Sequence, residues 1–191
     1  MKKVLLLLFV IITGLKGFAQ QDPRLRQRLD SMLRVTEAWD LEKILDFTYV
    51  KLFILAPRDQ MLEAMKSSFE SEEFTITPDS VRVDTIFPMF STKEGQYVKI
   101  RHTMLMRMKL NEVPDSTESA DMVTMMEEEY GEGKVRYDKR TNTIILSARP
   151  YLVAIKDDFS PEWTFVNYNE EGGLAPLLFS KEVIEKLKEY N

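Results

Sequence analysis

The apolar residues in the first part of the chain recur with a helical spacing. One stripe begins after Asp22-Pro23, a pair typical of a helix start, and continues to Thr36. A second stripe follows Asp40 and extends to Leu52, and a third covers Arg58–Phe69. The sequence therefore predicts three successive helices, each with its apolar side directed at a common core.

The spacing of the apolar residues then changes to two, which is the period of a β-strand. Two short strands are predicted at Phe74–Thr77 and Val81–Phe87, separated by Pro78-Asp79, and the longest strand covers 96–110. Within the longest strand the even-numbered residues from Val98 to Leu110 are apolar apart from His102, while most odd-numbered residues are polar or charged. We therefore expect the even-numbered side chains to turn toward the early helices and the odd-numbered ones to face water.

The rest of the chain continues the strand pattern. A hairpin is predicted over 135–148, two further strands at 151–156 and 163–168, and a terminal helix after Ser180. Because the helices precede the strands and do not alternate with them, the predicted fold class is α+β: N-terminal helices packed on a curved, mainly antiparallel sheet, with a short C-terminal helix. Residues 21–191 contain no repeat or linker and are expected to form a single domain.

Residues 1–20 have the layout of a secretory signal peptide. Lys2 and Lys3 precede an unbroken apolar run at 4–12, small residues follow, and cleavage is expected near Gln20. The run is shorter than the roughly 20 apolar residues of a membrane-spanning helix. The sequence therefore predicts a periplasmic or secreted protein with no stable membrane anchor after cleavage.

Charge and cysteine content narrow the classes of function. The chain has 31 acidic and 26 basic residues and a formal net charge of −5, which disfavours nucleic acid and anionic membranes as partners. It has no cysteine, which excludes thiol catalysis, iron–sulfur clusters and cysteine-bound zinc. The sequence indicates no cofactor and no catalytic metal.

Two stretches carry a resemblance to a known family. WDLEKILDFTYVKLF at 39–53 lies before the long strands, and YLVAIKDDFSPEWTFVNYN at 151–169 closes the strand region. Over most of 22–170 this order resembles the NTF2-like (SnoaL-like, cystatin-like) superfamily, in the form of its exported Gram-negative bacterial members. The resemblance implies a cone-shaped half-barrel that encloses a pocket. The superfamily includes isomerases, dehydratases and cyclases, and also members that only bind ligands or dimerise, so the fold alone does not fix the function.

Five residues are the candidates for lining this pocket: Tyr49, His102, Met104, Met106 and Trp163. His102 is the single histidine of the sequence and shares the apolar face of the longest strand. An imidazole can titrate near neutral pH and can hydrogen-bond a ligand. The leading hypothesis is an exported, non-catalytic domain that binds a small apolar or amphipathic molecule in the pocket, with a homodimer formed through the outer sheet face.

Three alternatives stay open at this point. The first is an isomerase- or dehydratase-type enzyme with His102 as base and Tyr49 as hydrogen-bond donor. The second is a structural or interaction protein whose core is filled. The third is Cu(I) binding by His102 and the alternating methionines of the same strand, because thioethers suit Cu(I).

Overall fold

The computed structural model describes residues 22–169 and 172–190, so the signal peptide predicted at 1–20 lies outside the described residues. The fold is α+β, as predicted. In chain order the elements are α1 (Pro23–Glu37), α2 (Leu41–Ile44), a 3₁₀ turn (Leu45–Phe47), α3 (Leu52–Leu55), α4 (Arg58–Phe69), β1 (Phe74–Ile86), β2 (Phe90–Thr92), β3 (Gly95–Leu110), α5 (Ser116–Tyr130), β4 (Val135–Asp138), β5 (Thr143–Ala148), β6 (Tyr151–Asp157), β7 (Thr164–Tyr168), α6 (Ala175–Leu178) and α7 (Lys181–Lys188). Within these residues no helix has the length and hydropathy needed to cross a bilayer.

The long strand β3 organises the sheet. Along one edge it pairs with β1 and β2, and along the other edge it pairs first with β6 and then with β5. β4 extends the sheet beyond β5, and β7 extends it beyond β6. All of these strand pairings are antiparallel. β5 and β6 behave as one long strand whose pairing is interrupted at Pro150, which lacks a backbone N–H.

The two short strands predicted around Pro78-Asp79 are one strand. β1 runs through this point, and its register to β3 shifts once between Pro78 and Ser80 and again between Val83 and Thr85. Each shift leaves one extra residue, Asp79 or Asp84, which is the arrangement of a β-bulge. The polar interruption in the sequence therefore marks a bulge and not the end of a strand.

The second predicted helix is broken. α2 passes into the 3₁₀ turn, and the chain then becomes extended at Thr48, which forms a parallel bridge with Phe165 of β7. The backbone N–H of Tyr49 donates to the carbonyl oxygen of Phe165 at 3.0 Å. Pairing with the sheet edge therefore replaces the helical hydrogen bonds that the apolar spacing at 41–52 predicts.

The sheet has an inner face, made by the even-numbered residues of β3, and an outer face, made by its odd-numbered residues. On the inner face α1 packs through Leu25 and Leu29 against Val98 and Ile100, as predicted. α5 covers the far end of the same face through Met122, Val123 and Met126.

The part of the outer face that is formed by the first residues of β3 is covered and does not face water. Tyr97, Val153 and Ile155 pack there against Val183 and Leu187 of α7. Lys99, predicted to face water, is fully buried, and its ammonium group donates to the carbonyl oxygen of Leu187 at 3.1 Å. The same group lies 4.2 Å from the centre of the Tyr151 ring. The prediction was wrong at Lys99 because the C-terminal helices fold back over this half of the sheet.

Candidate functional site

A cavity of about 590 Å³ lies between the N-terminal helices and the inner face of the sheet. This volume is within the range of about 300–1,000 Å³ that is typical of small-molecule sites. The space behind β3 is therefore not filled by the side chains that surround it.

The walls of the cavity come from two layers. The helix layer contributes mainly large, flexible or aromatic side chains: Met32, Leu33, Trp39, Leu52, Met61, Met65 and Phe69. The sheet layer contributes Val81, His102, Met104, Met106, Ala148, Pro150, Leu152 and Phe165. Among the described residues that line the cavity, none has a charged side chain. Such a surface favours apolar contacts over ionic ones.

His102 is the central polar group of the sheet wall. It lies opposite Val83 of β1, immediately beside the bulge at Asp84, and its backbone N–H donates to the carbonyl oxygen of Pro150 at 3.3 Å. The two neighbouring strands are thus irregular at this level, where β-bulges bend a sheet. His102 lies at this irregular level of the sheet and lines the cavity.

The imidazole of His102 is 2 % exposed, and its Nδ1 atom has no hydrogen-bond partner within the described part of the chain. Burial lowers the pKa of His102 below its ordinary value, while the charge of Asp84 acts weakly in the opposite direction. His102 is therefore neutral at neutral pH. An unpaired buried polar atom costs stability.

Trp39 holds an unusual backbone conformation at the edge of the cavity. Its φ angle is 55°, in the left-handed region, where bulky residues are rare. It ends α1 in the position usually taken by glycine: the N–H of Asp40 donates to the carbonyl oxygen of Val35, and the N–H of Trp39 donates to that of Thr36. The indole packs edge-on against Phe69, with ring centres 4.5 Å apart. The strained cap therefore directs an aromatic ring into the wall of the cavity.

The structure brings three of the five predicted site residues together. His102, Met104 and Met106 all line the cavity. Their inward direction confirms the strand alternation from which they were predicted.

Tyr49 and Trp163 do not line the cavity. Tyr49 is buried in the outer cluster with Tyr97 and Phe179, and its hydroxyl group donates to Oδ2 of Asp157 at 2.5 Å. Burial and this carboxylate raise the pKa of Tyr49. The chain crosses the sheet edge between Leu45 and Tyr49, and this crossing removes Tyr49 from the helix stripe on which its prediction rested.

Trp163 has a structural contact instead. Its indole N–H donates to Oδ2 of Asp22 at 3.0 Å, while Oδ1 of the same carboxylate caps α1 by accepting from the N–H of Arg24. These two hydrogen bonds lower the pKa of Asp22. Trp163 therefore joins the start of α1 to the sheet and lies outside the cavity lining.

These positions affect the alternative functions. The enzyme hypothesis paired His102 with Tyr49, and the structure does not bring them to one site. The methionines of the copper hypothesis are divided: Met104 and Met106 line the cavity, whereas Met108 packs with α5. No cluster of three histidine, aspartate or glutamate side chains suited to a metal ion occurs within the described residues.

The sequence interpretation missed the helix wall. Met61, Met65 and Phe69 were predicted as buried residues of a helix, and Trp39 carried no prediction. A helical apolar stripe is the same whether it meets a packed core or an empty space. For Trp39 the available signal was its position at the end of α1, because glycine usually occupies that position.

Three comparisons with known proteins were negative: no family model matches the chain, no curated protein is similar to it, and no solved structure shares its fold at a significant level. The resemblance to the NTF2-like superfamily therefore stays a prediction based on the order of the elements.

Proposed function

We propose that this protein is an exported, non-catalytic domain that binds a small apolar or amphipathic molecule in the cavity between its N-terminal helices and the inner face of its sheet. The observation that supports this proposal is the cavity itself, with a volume of about 590 Å³ and a lining free of charged side chains in the described part of the chain. The cavity is partly open to solvent, and its lining includes the exposed residues Tyr130 and Asn167, so its apolar wall meets water, which is unfavourable. A ligand that fills the space would remove this wall from water.

The composition of the wall supports binding of a flexible or variable partner. Met32, Met61 and Met65 face the cavity from the helices, and Met104 and Met106 face it from β3. Methionine side chains are unbranched and polarisable, so they adapt to ligands of different shape. The aromatic pair of Trp39 and Phe69 adds a rigid surface to this adaptable lining.

Binding can be measured with a neutral probe whose fluorescence rises in apolar surroundings, N-phenyl-1-naphthylamine. We expect saturable binding with a dissociation constant in the micromolar range, as for cavities that bury most of a small ligand. Trp39 lines the cavity and is the remaining tryptophan in Trp163→Phe, so the fluorescence of Trp39 in this variant should be quenched as the probe binds.

A cavity-filling variant with a matched control tests the location directly. Ala148 lies opposite Met104 and lines the cavity, whereas the adjacent Ser147 lies opposite Leu105 on the other face of the sheet. Ala148→Phe should weaken probe binding at least roughly tenfold by occupying the space, and Ser147→Phe should change it less than about twofold. Equal binding by wild type and A148F, with both folded by circular dichroism, would contradict the proposal.

A second candidate function for the same cavity is Cu(I) binding. The observation in its favour is that the helix layer adds three methionines to Met104, Met106 and His102 in one lining. Thioether and imidazole ligands suit Cu(I). Native mass spectrometry of the protein with Cu(I) should show one bound ion that is lost in the double variant M104L/M106L. An unchanged mass for the wild-type protein would exclude this function.

A further inference from the structure

The charge of the cavity lining restricts the ligand. Within the described chain no lysine, arginine, aspartate or glutamate lines the space. A charged ligand group placed there would lose its hydration without gaining a counter-ion, which is strongly unfavourable in apolar surroundings. The lining therefore selects for an uncharged molecule.

Most polar groups of the lining already have partners or lie at the surface. The hydroxyl group of Thr36 donates to the carbonyl oxygen of Met32 at 3.0 Å, and that of Thr48 donates to the carbonyl oxygen of Ile44 at 3.2 Å. Tyr130 and Asn167 also line the cavity but are exposed.

His102 is different from these groups. Of the cavity-lining residues in the described chain, it is the one with a buried side-chain nitrogen that makes no hydrogen bond. Its surroundings keep the imidazole neutral, so one ring nitrogen carries a hydrogen and the other accepts one. A ligand hydroxyl group both donates and accepts, and it can therefore pair with a ring nitrogen of His102 in either tautomer. A carbonyl or ether oxygen only accepts, so it can pair with a given ring nitrogen only in the tautomer in which that nitrogen carries the hydrogen.

We propose that the ligand is an uncharged, mainly apolar alcohol whose hydroxyl group hydrogen-bonds to the imidazole of His102, while its carbon skeleton lies against the methionine and aromatic side chains of the cavity. This inference rests on the proposed function and adds to it the charge and the polar group of the ligand. The cavity has the volume of roughly twenty water molecules, and a straight chain of about ten carbons is a suitable probe.

The test compares three probes that share a ten-carbon chain and differ in the head group: 1-decanol, decanoate and decylammonium. Each competes with N-phenyl-1-naphthylamine on the full-length folded protein at pH 7.5. We expect 1-decanol to displace the dye at a concentration at least roughly tenfold lower than either charged probe, because the charged groups lose hydration. Equal or better displacement by decanoate or decylammonium would overturn the inference that the ligand is neutral.

Variants of His102 test the hydrogen bond. His102→Leu should weaken the competition by 1-decanol roughly tenfold, measured relative to the affinity of this variant for the dye. His102→Gln keeps a hydrogen-bonding group and should restore most of the preference for the alcohol. The control is Ser147→Val, on the face of the sheet away from the cavity, which should change the competition less than about twofold.

The outcomes separate the two proposals. If H102L and wild type bind 1-decanol equally, the contact with His102 is wrong, while dye binding still supports the cavity. If the wild-type protein binds neither the dye nor any of the three probes, the proposed function fails as well. Should H102L not fold, His102→Ala, which removes the imidazole without adding bulk, tests the same contact, and the series of head groups tests the charge of the ligand.

Discussion

The two faces of the sheet along β3 are packed in different ways. On the outer face Tyr97 and Val153 pack against Val183 and Leu187, and all of these side chains are covered. On the inner face Met104 and Met106, which follow Tyr97 in the same strand, border a cavity of about 590 Å³. Because neighbouring residues of a strand point to opposite sides, one segment serves two separate layers.

This difference suggests a division of roles within one small fold. The outer layer is closed by the C-terminal helices and contributes close packing, which stabilises the fold. The inner layer keeps empty space and a single unpaired imidazole nitrogen, which are costly for folding and useful for binding. The predictions below separate the two layers experimentally.

The largest effect is expected in the outer layer. Leu187 is fully buried against the sheet, and Leu187→Ala should lower the free energy of unfolding by about 2–5 kcal/mol. Met104 already faces empty space and makes contacts on fewer sides, so Met104→Ala should cost less, about 1–2 kcal/mol. Urea unfolding of the two variants measures this contrast, and equal losses would contradict it.

A smaller effect is expected for the hydroxyl group of Tyr49. Tyr49→Phe removes the hydrogen bond to Asp157 and should lower the free energy of unfolding by about 1–2 kcal/mol. Because Tyr49 packs in the outer cluster, the affinity for N-phenyl-1-naphthylamine should not change. A loss of dye affinity in folded Y49F would show that the two layers are coupled.

The inner layer should make the stability depend on pH. The pKa of His102 is lowered in the folded state, so as the pH falls from neutral through its ordinary value of 6.5 the unfolded chain takes up a proton that the folded chain does not. Stability is therefore lost on acidification between this value and the lower folded pKa. Urea midpoints at several pH values should fall more steeply for wild type than for H102Q. Parallel slopes would contradict the burial of a neutral imidazole.

The smallest expected effect is an increase in stability. Ala148→Leu places extra apolar atoms in the cavity and should raise the free energy of unfolding by about 0.5–1 kcal/mol while weakening dye binding. Ser147→Leu, on the opposite face of the same strand, should stay within about 0.5 kcal/mol of wild type. Thermal unfolding of both variants provides the measurement. A148L that is less stable than wild type would show that the cavity cannot accept the added volume.

The local sequence pattern was sufficient to predict an element where that element depends mainly on its own residues. α4 has the predicted bounds, β3 begins one residue earlier than predicted, and the alternation that placed His102, Met104 and Met106 inward is confirmed. The pattern failed where a distant segment decides the structure. Residues after Leu45 leave the helix because Thr48 and Tyr49 pair with Phe165, which is far away in the sequence.

The same reason limits what could be predicted of the site. The residues of the sheet wall can be predicted from the two-residue alternation of β3. The helix wall depends on the distance of α1 and α4 from the sheet, and no spacing in the sequence encodes that distance. Lys99 shows the converse case. Its charge predicts exposure, yet α7 supplies a carbonyl oxygen and the sheet supplies an aromatic ring, so that the ammonium group is buried with partners.

The two bulges of β1 have a consequence for the counting of residues along that strand. Ile76 and Pro78 lie opposite Met108 and Met106, Val81 and Val83 lie opposite Met104 and His102, and Ile86 lies opposite Ile100. The inward positions thus change from even to odd at Asp79 and return to even at Asp84. Deleting either aspartate would move the inward-facing side chains on one side of it to the outer face of the sheet. At these two points the number of residues matters more to the wall of the cavity than their identity.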